Sequence, residues 1–301
     1  MFKYTLSGLL LYFSIHAGGQ TAMNNKIEIH GHRGFRGHFP ENTLTAFIEA
    51  VKLGVDAIEL DVVISKDSQV VVSHEPWFNP KTCSEPDGKP VTTRNKHNLH
   101  KLSYTEIKQY DCGKRGNKDF PDQQSMPEYK PLLSEVIETV EKYCKENDLP
   151  KIQYNIEIKS WKLGDGKWHP SPKKMAELTY NVIKKFLPAG QAGNINERIL
   201  IQSFDKRSLQ EMHKIDPTIR IGYLVFNTGN VAHRIKKLGF TPYMYNPDLK
   251  FVKAKTIKQA HKAGCKVIVW TVNSEKDMKR IIQLGVDGII TDYPNIGVKL
   301  K

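Results

Sequence analysis

The sequence predicts an α/β fold, a closed (β/α)8 TIM barrel with one long insertion after its second strand region. Three observations carry this. From Lys26 onward, eight short apolar runs alternate with amphipathic stretches. Gly54, Gly239, Gly264 and Gly285 each stand between a helical pattern and the next apolar run, where a left-handed helix cap belongs. Leu53-Gly54-Val55-Asp56-Ala57-Ile58-Glu59-Leu60-Asp61 is also echoed at Leu284-Gly285-Val286-Asp287-Gly288-Ile289-Ile290-Thr291-Asp292. A doubly wound open sheet is the alternative arrangement.

Taken in order, the first strand is expected over 26–31. The first helix is announced by Pro40-Glu41-Asn42-Thr43, with Asn42 or Thr43 as N-cap, and ends at Gly54. The second strand covers 57–64, and 70–74 follows as an extra strand or extension. A helix over 132–147 leads to a third strand at 152–159, and a long helix then runs to Leu187. Strands follow at 198–204, 220–226, 242–245, 266–272 and 288–292. The helices between them end near Ile215, Leu238, Ala263 and Leu284. Only a short tail follows Pro294, so the eighth helix is reduced or absent. The insertion, 79–131, is rich in Pro, Gly, Asn and Lys. A loop of that length commonly covers a site, and this one follows His74 directly, so it is expected to act as a lid at the mouth.

At 301 residues with a hydrophobic fraction of 39%, the chain can bury a single large core. The net charge of +13 suits an anionic partner, but much of it sits as lysine on helical stretches such as Lys173-Lys174, the pattern of a solvated basic exterior. No basic stretch is interleaved with aromatics, which argues against nucleic acid. Residues 1–19 read as an export signal: Lys3 opens it, Leu9 to Ile15 is almost wholly apolar, and Ala17-Gly18-Gly19 offers a cleavage site. The apolar run is too short for stable membrane insertion. The protein is therefore expected to be exported, most simply to a bacterial periplasm, with a barrel domain over 26–301. Export permits disulfides, and four cysteines allow three complete pairings. Cys83 and Cys112 share the irregular insertion and are the expected bridge, with Cys144 and Cys265 as buried thiols.

Strand alternation carries the chemistry. Glu59 and Asp61 share one face of their strand, while Ile58, Leu60 and Val62 share the other. In the third strand Asn155, Glu157 and Lys159 point one way and Ile156 and Ile158 the other. A barrel packs the apolar face on its helices, so the acids turn inward. Three buried carboxylates without compensation would be prohibitive. A divalent cation resolves the conflict, and all-oxygen ligation by Glu59, Asp61 and Glu157 favours Ca2+ or Mg2+. His32 and His74 are expected to end strands at the catalytic mouth, as general acid and base beside the ion. Arg33 and Lys159 supply fixed positive charge for a phosphate-like transition state.

His32-Arg33-Gly34, Pro40-Glu41-Asn42-Thr43, Glu59-x-Asp61, His74, Glu157-x-Lys159, Gln202-Ser203-Phe204 and the ending Asp287 to Asp292 together resemble the glycerophosphodiester phosphodiesterases over about 26–294. The resemblance implies a barrel enzyme that hydrolyses small glycerophosphodiesters, such as glycerophosphocholine or glycerophosphoethanolamine, to sn-glycerol 3-phosphate and an alcohol. It implies His32 and His74 as the acid–base pair and Glu59, Asp61 and Glu157 as metal ligands. Arg33 and Lys159 fall at the phosphate, and Trp270 at the pocket wall. A cyclic phosphate opened by water is also implied. The alternatives are a phospholipase D-like lipid hydrolase on the same barrel, a non-catalytic exported anion-binding protein, and a zinc amidohydrolase suggested by His30-x-His32. The last lacks its further histidines after the fifth and sixth strands. Oligomeric state and head-group choice are not legible in the sequence.

Overall fold

The computed structural model describes residues 26–92, 97–186, 195–227 and 229–301; the export signal expected over 1–19 lies outside them. The strands are β1 (Glu28–Gly31), β2 (Ala57–Ile64), β3 (Val70–Val72), β4 (Gln153–Ile158), β5 (Ile199–Ser203), β6 (Arg220–Val225), β7 (Met244–Pro247), β8 (Lys266–Val269) and β9 (Gly288–Thr291). Their order is β1-β9-β8-β7-β6-β5-β4-β2-β3, and β1 also pairs with β2. Every pairing except β2–β3 is parallel, so eight staves close into the expected (β/α)8 barrel.

The helices among the described residues are α1 (Leu44–Lys52), α2 (Tyr104–Ile107), α3 (Leu133–Glu146), α4 (Pro172–Phe186), α5 (Ile195–Arg198), α6 (Lys206–Ile215), α7 (Val231–Leu238), α8 (Ala254–Lys262), α9 (Glu275–Gln283) and α10 (Pro294–Gly297). Each long helix buries one stripe. In α3 this is Leu133, Val136, Ile137, Val140 and Cys144, the i, i+3, i+4, i+7 spacing of one face. That stripe joins the outward residues of the staves, including Ile58, Leu60, Ile156 and Ile158, in one main core. Inside the barrel a small separate cluster, Leu200, Met244, Ile268 and Ile290, fills the lower layers. α10 is the reduced eighth helix.

Two strands depart from expectation. The sixth stave lies at 244–247 rather than 242–245, because Pro242 has no N–H to give a ladder and Met244 is the first residue to pair. β3 is not a continuation of the barrel. It returns antiparallel along Val62 to Ile64, taking the edge of β2 that β1 occupies lower down at Ala57 and Ile58. His74 therefore does not end a barrel stave. The hairpin brings it back down, with the Ser73 N–H donating to the Asp61 carbonyl at 2.9 Å.

The insertion has a core of its own, in which Phe78, Cys83, Val91, Leu99 and Ile107 pack on Val63 and Val71 of the hairpin. A Cys83–Cys112 disulfide ties it together, and Cys144 and Cys265 are buried free thiols. It stands at the mouth as a side wall. No helix of the described residues is long and apolar enough to cross a membrane.

Candidate active site

The register of the staves builds the site. Asp61 is paired with Glu157 and Glu157 with Gln202, so three adjacent strands present one inward layer, with Glu59 one layer below Asp61. Glu59, Asp61 and Glu157 are buried, and each offers an oxygen within 4.8 Å of the other two. Their surroundings divide the load unequally. Glu59 accepts the Arg33 N–H at 3.0 Å and the Gln202 amide at 3.0 Å. Asp61 Oδ2 accepts the Asn42 side-chain amide at 2.9 Å, and Lys159 Nζ lies 2.7 Å from Glu157 and 3.5 Å from Asp61. Asp61 Oδ1 has no hydrogen-bond partner.

Burial pushes the Glu59 carboxyl well up, and the charges of Asp61 and Glu157 push it further. Glu157 is raised by burial and Asp61, with Lys159 opposing. Burial would lift Asp61 as well, but Lys159, His74 and Arg33 outweigh it and hold Asp61 below the ordinary carboxylate range. Three clustered all-oxygen acids, with Asp61 Oδ1 accepting no hydrogen bond and meeting only Lys159 Nζ at 3.5 Å, form a donor set that fits a hard divalent cation.

Two imidazoles flank this trio. His32 follows β1, and its Nδ1 donates to Asp292 Oδ1 at 2.6 Å. Asp292 follows β9 and is also held by the Asn273 amide at 2.7 Å. Burial would raise Asp292, yet His32 beside it holds the carboxyl at about 2. The His32 imidazole is drawn below its usual value by burial, with Asp292 partly offsetting this. His74 Nδ1 lies 3.0 Å from the Glu75 carboxylate. With Nδ1 so engaged, Nε2 is the remaining ring nitrogen of each histidine.

The cavity between them measures about 220 Å³. One side carries His32, Arg33, Glu59, His74, Glu157 and Lys159, and the other is apolar, with Phe204, Leu224, Trp270 and Ile290. Trp270 donates its indole N–H to the Asn246 carbonyl at 2.8 Å, which fixes the ring edge-on to Phe204. Seven of the eight site residues expected from the sequence thus line the cavity, and Asp61 offers an oxygen within 4.8 Å of Glu59 and Glu157, which do. No described residue of 79–131 lines the cavity, because the insertion's apolar side chains are committed to the hairpin. It reaches the site at one remove, where Phe120 underlies the Arg36 guanidinium at 4.5 Å and Lys130 donates to Ser73 Oγ at 2.8 Å.

Sequence reasoning assigned no catalytic or binding role to Glu41, Asn42, Glu75 and Asp292. Glu41 pairs with Arg33 at 2.8 Å and with Arg36 at 2.5 Å. Asn42 escapes notice as a candidate helix cap; Thr43 is the cap, accepting the Ala46 N–H at 3.2 Å, which leaves the Asn42 amide for Asp61. Arg33 and Asn42 both adopt left-handed backbone, φ 53° and 57°. Non-glycine residues in that region were the local signal of a constrained site. Gly34, at φ 82°, packs against α1 so closely that a Cβ would lie 2.6 Å from the Ala46 backbone.

A parallel barrel with a carboxylate trio and paired imidazoles at its mouth defines an enzyme of the phosphodiester-hydrolysing class. The chain belongs to the glycerophosphodiester phosphodiesterases: the Glycerophosphoryl diester phosphodiesterase family matches residues 32–296. A glycerophosphodiester phosphodiesterase of Caldanaerobacter subterraneus subsp. tengcongensis is 32% identical over 269 residues, 89% of this chain and 95% of that protein. The Bacillus altitudinis glycerophosphodiester phosphodiesterase is 31% identical, covering 91% of this chain and 98% of its own. An Oleispira antarctica phosphodiesterase solved with the product sn-glycerol-3-phosphate shares the fold, with a TM-score of 0.70 at 23% identity over 91% of this chain and 95% of that one.

Proposed function

We propose that this enzyme hydrolyses small glycerophosphodiesters, such as glycerophosphocholine or glycerophosphoethanolamine, to sn-glycerol 3-phosphate and the free alcohol. The observation that carries this reading is the pairing of His32 and His74, each tethered through Nδ1 to a carboxylate, on the wall of one small cavity above Glu59, Asp61 and Glu157. Those three carboxylates would hold a divalent cation, Ca2+ or Mg2+, as the cofactor. When bound, the ion supplies a Lewis acid that polarises a phosphate oxygen and lowers the pKa of the adjacent glycerol hydroxyl.

The protein's own groups do the rest. Arg33 and Lys159 orient the phosphate and balance the charge that develops on its oxygens. One imidazole takes a proton at Nε2 from the attacking hydroxyl and the other delivers one to the departing alcohol oxygen, leaving a cyclic phosphate. Water then opens that ring, one imidazole taking its proton and the other returning one to the glycerol oxygen whose bond to phosphorus breaks. Asp292 and Glu75 hold the rings so that Nε2 faces the reacting atoms, and they stabilise each imidazolium while it exists. The apolar wall around Trp270 takes the organic part of the substrate. We further propose that residues 1–19 export the protein, most simply to a periplasm, and that 26–301 act as one barrel domain with 79–131 as its insertion.

The experiment is direct. Purified protein is incubated with glycerophosphocholine, with and without EDTA, and glycerol 3-phosphate is measured. Release that EDTA abolishes and Ca2+ or Mg2+ restores is the expected result. Tight binding of the diester with no product would replace the enzyme by a binding protein.

A further inference from the structure

The largest exposed apolar side chains among the described residues are Leu163, 87% accessible, Phe226, 61%, and Phe251, 46%. Exposed apolar residues scattered singly need no explanation. These are not scattered. Leu163 follows β4, Phe226 follows β6 and Phe251 follows β7 by a few residues, so all three stand at the C-terminal ends of staves. That is the end of the barrel on which the cavity opens, and Phe226 packs directly on the Phe204 and Trp270 of its wall. Phe226 stacks on Phe204 with ring centroids 4.5 Å apart, so the apolar wall of the cavity runs out to the surface without a break.

The charge around these residues is one-sided. Lys162 and Lys167 flank Leu163, Lys250 and Lys253 flank Phe251, and all four lysines are exposed. Of the two acids on the same loops, Asp165 is paired with Arg207, so the four lysines face only the carboxylate of Asp248. Asp165 accepts from Arg207 at 2.6 Å and 3.1 Å, and Asp248 caps the Lys250 N–H at 2.7 Å. Half-buried Trp161 and Trp168 lie in the loop that carries Leu163, and Trp168 packs edge-on against Trp77. Protruding apolar tips, indoles behind them and lysines around them are what an anionic lipid surface binds: the tips enter the acyl region while the ammonium groups meet the headgroups.

We propose that the β4–β7 arc of the barrel mouth docks reversibly on anionic lipid bilayers, with Leu163 and Phe251 inserted. The cavity would then face the surface from which lipid-derived phosphodiesters come. The docking itself does not depend on the proposed substrate, although its usefulness rests on that reading.

Co-sedimentation tests it. The purified protein is mixed with vesicles of phosphatidylglycerol and phosphatidylcholine, or of phosphatidylcholine alone, at about 0.15 M ionic strength. Wild type should pellet with the anionic vesicles. L163D/F251D should lose that partition by about tenfold or more, the equivalent of one buried apolar side chain at least. K162E/K250E should weaken binding in a salt-dependent way, and the milder L163S/F251S should behave as L163D/F251D does. Failure of wild type to pellet with anionic vesicles, or equal pelleting of wild type and L163D/F251D, overturns the proposal. So does a wild-type dimer in solution that L163D/F251D converts to monomer, since a second copy would then be the occupant. Turnover of soluble glycerophosphocholine is followed in the same samples and should be unchanged in L163D/F251D. Absence of product from every variant, with docking intact, would sink the proposed activity and leave the docking standing.

Discussion

His32 and Asp292 are 260 residues apart in the chain and 2.6 Å apart in space. Barrel closure makes the pair: β1 lies against β9, with Ile29 opposite Ile289, so the residues just past the two strand ends must meet. A carboxylate can only accept, so Nδ1 carries the hydrogen and Nε2 is the basic nitrogen of the neutral ring. The arrangement orients the imidazole and favours its charged form, which burial opposes.

Asp292→Asn should lower kcat by a factor on the order of 10² to 10⁴, the span of one general acid–base contribution. The sign of the pH effect follows from the contacts. Asp292 raises the His32 pKa, so its removal lets burial pull that pKa lower. Any acid limb of the kcat/KM profile due to His32 should therefore move to lower pH in the variant. Profiles of the two proteins side by side check this, and a limb displaced upward would take His32 out of the role.

Glu75 stands to His74 as Asp292 does to His32, at 3.0 Å. Glu75→Ala should leave the fold intact and cost on the order of a hundredfold in kcat, with a much smaller change in KM, because a loosened ring misplaces its proton. Steady-state kinetics with glycerophosphocholine separate the two parameters. His74→Ala sets the floor for the comparison.

Glu59, Asp61 and Glu157 repel one another, and Glu59 is pushed up in consequence of burial and that repulsion. A cation bound at 100 times its Kd would add about 2.7 kcal/mol to the stability of the folded state. The unfolding temperature should therefore rise when Ca2+ or Mg2+ is added to EDTA-treated wild type. In E59Q/D61N/E157Q the metal-dependent rise should vanish. Calorimetric scans with and without the ion measure both.

The Cys83–Cys112 bridge closes a separation of 29 residues around the insertion's core. Loop-closure entropy puts its contribution at about 3–4 kcal/mol. C83S/C112S should unfold the insertion at lower urea concentration, as read by proteolysis within 79–131. Residual glycerophosphocholine turnover should persist under native conditions, because no described residue of the insertion lines the cavity. Loss of all activity from a folded variant would favour the lid role for the insertion.

Much of the site was legible because strand alternation is a local property. Glu59-x-Asp61 and Glu157-x-Lys159 reveal their shared faces without any knowledge of what the faces meet, and the apolar residues between them demand helices outside. His74 was read correctly as a cavity residue but for the wrong geometric reason. It was taken as the end of a stave, and it is the end of a hairpin return, because strand pattern carries no information about direction. The insertion was read as a lid from its place in the chain. Its apolar residues, Val91, Leu99 and Ile107, had a nearer surface to cover on Val63 and Val71.

The order of secondary elements, the inward acids and the histidines were determined by the sequence alone, since period, spacing and the cost of burying charge are read along the chain. Only the tertiary structure decided that Asp292 serves His32, that Glu41 is shared by Arg33 and Arg36, that β3 runs backwards, and that Leu163 and Phe251 stand on the rim of one mouth. His32 with Asp292, and Leu163 with Phe251, come from distant parts of the chain, and closing the barrel brings them together; Glu41 and β3 depend instead on the direction of local turns, which residue pattern does not encode.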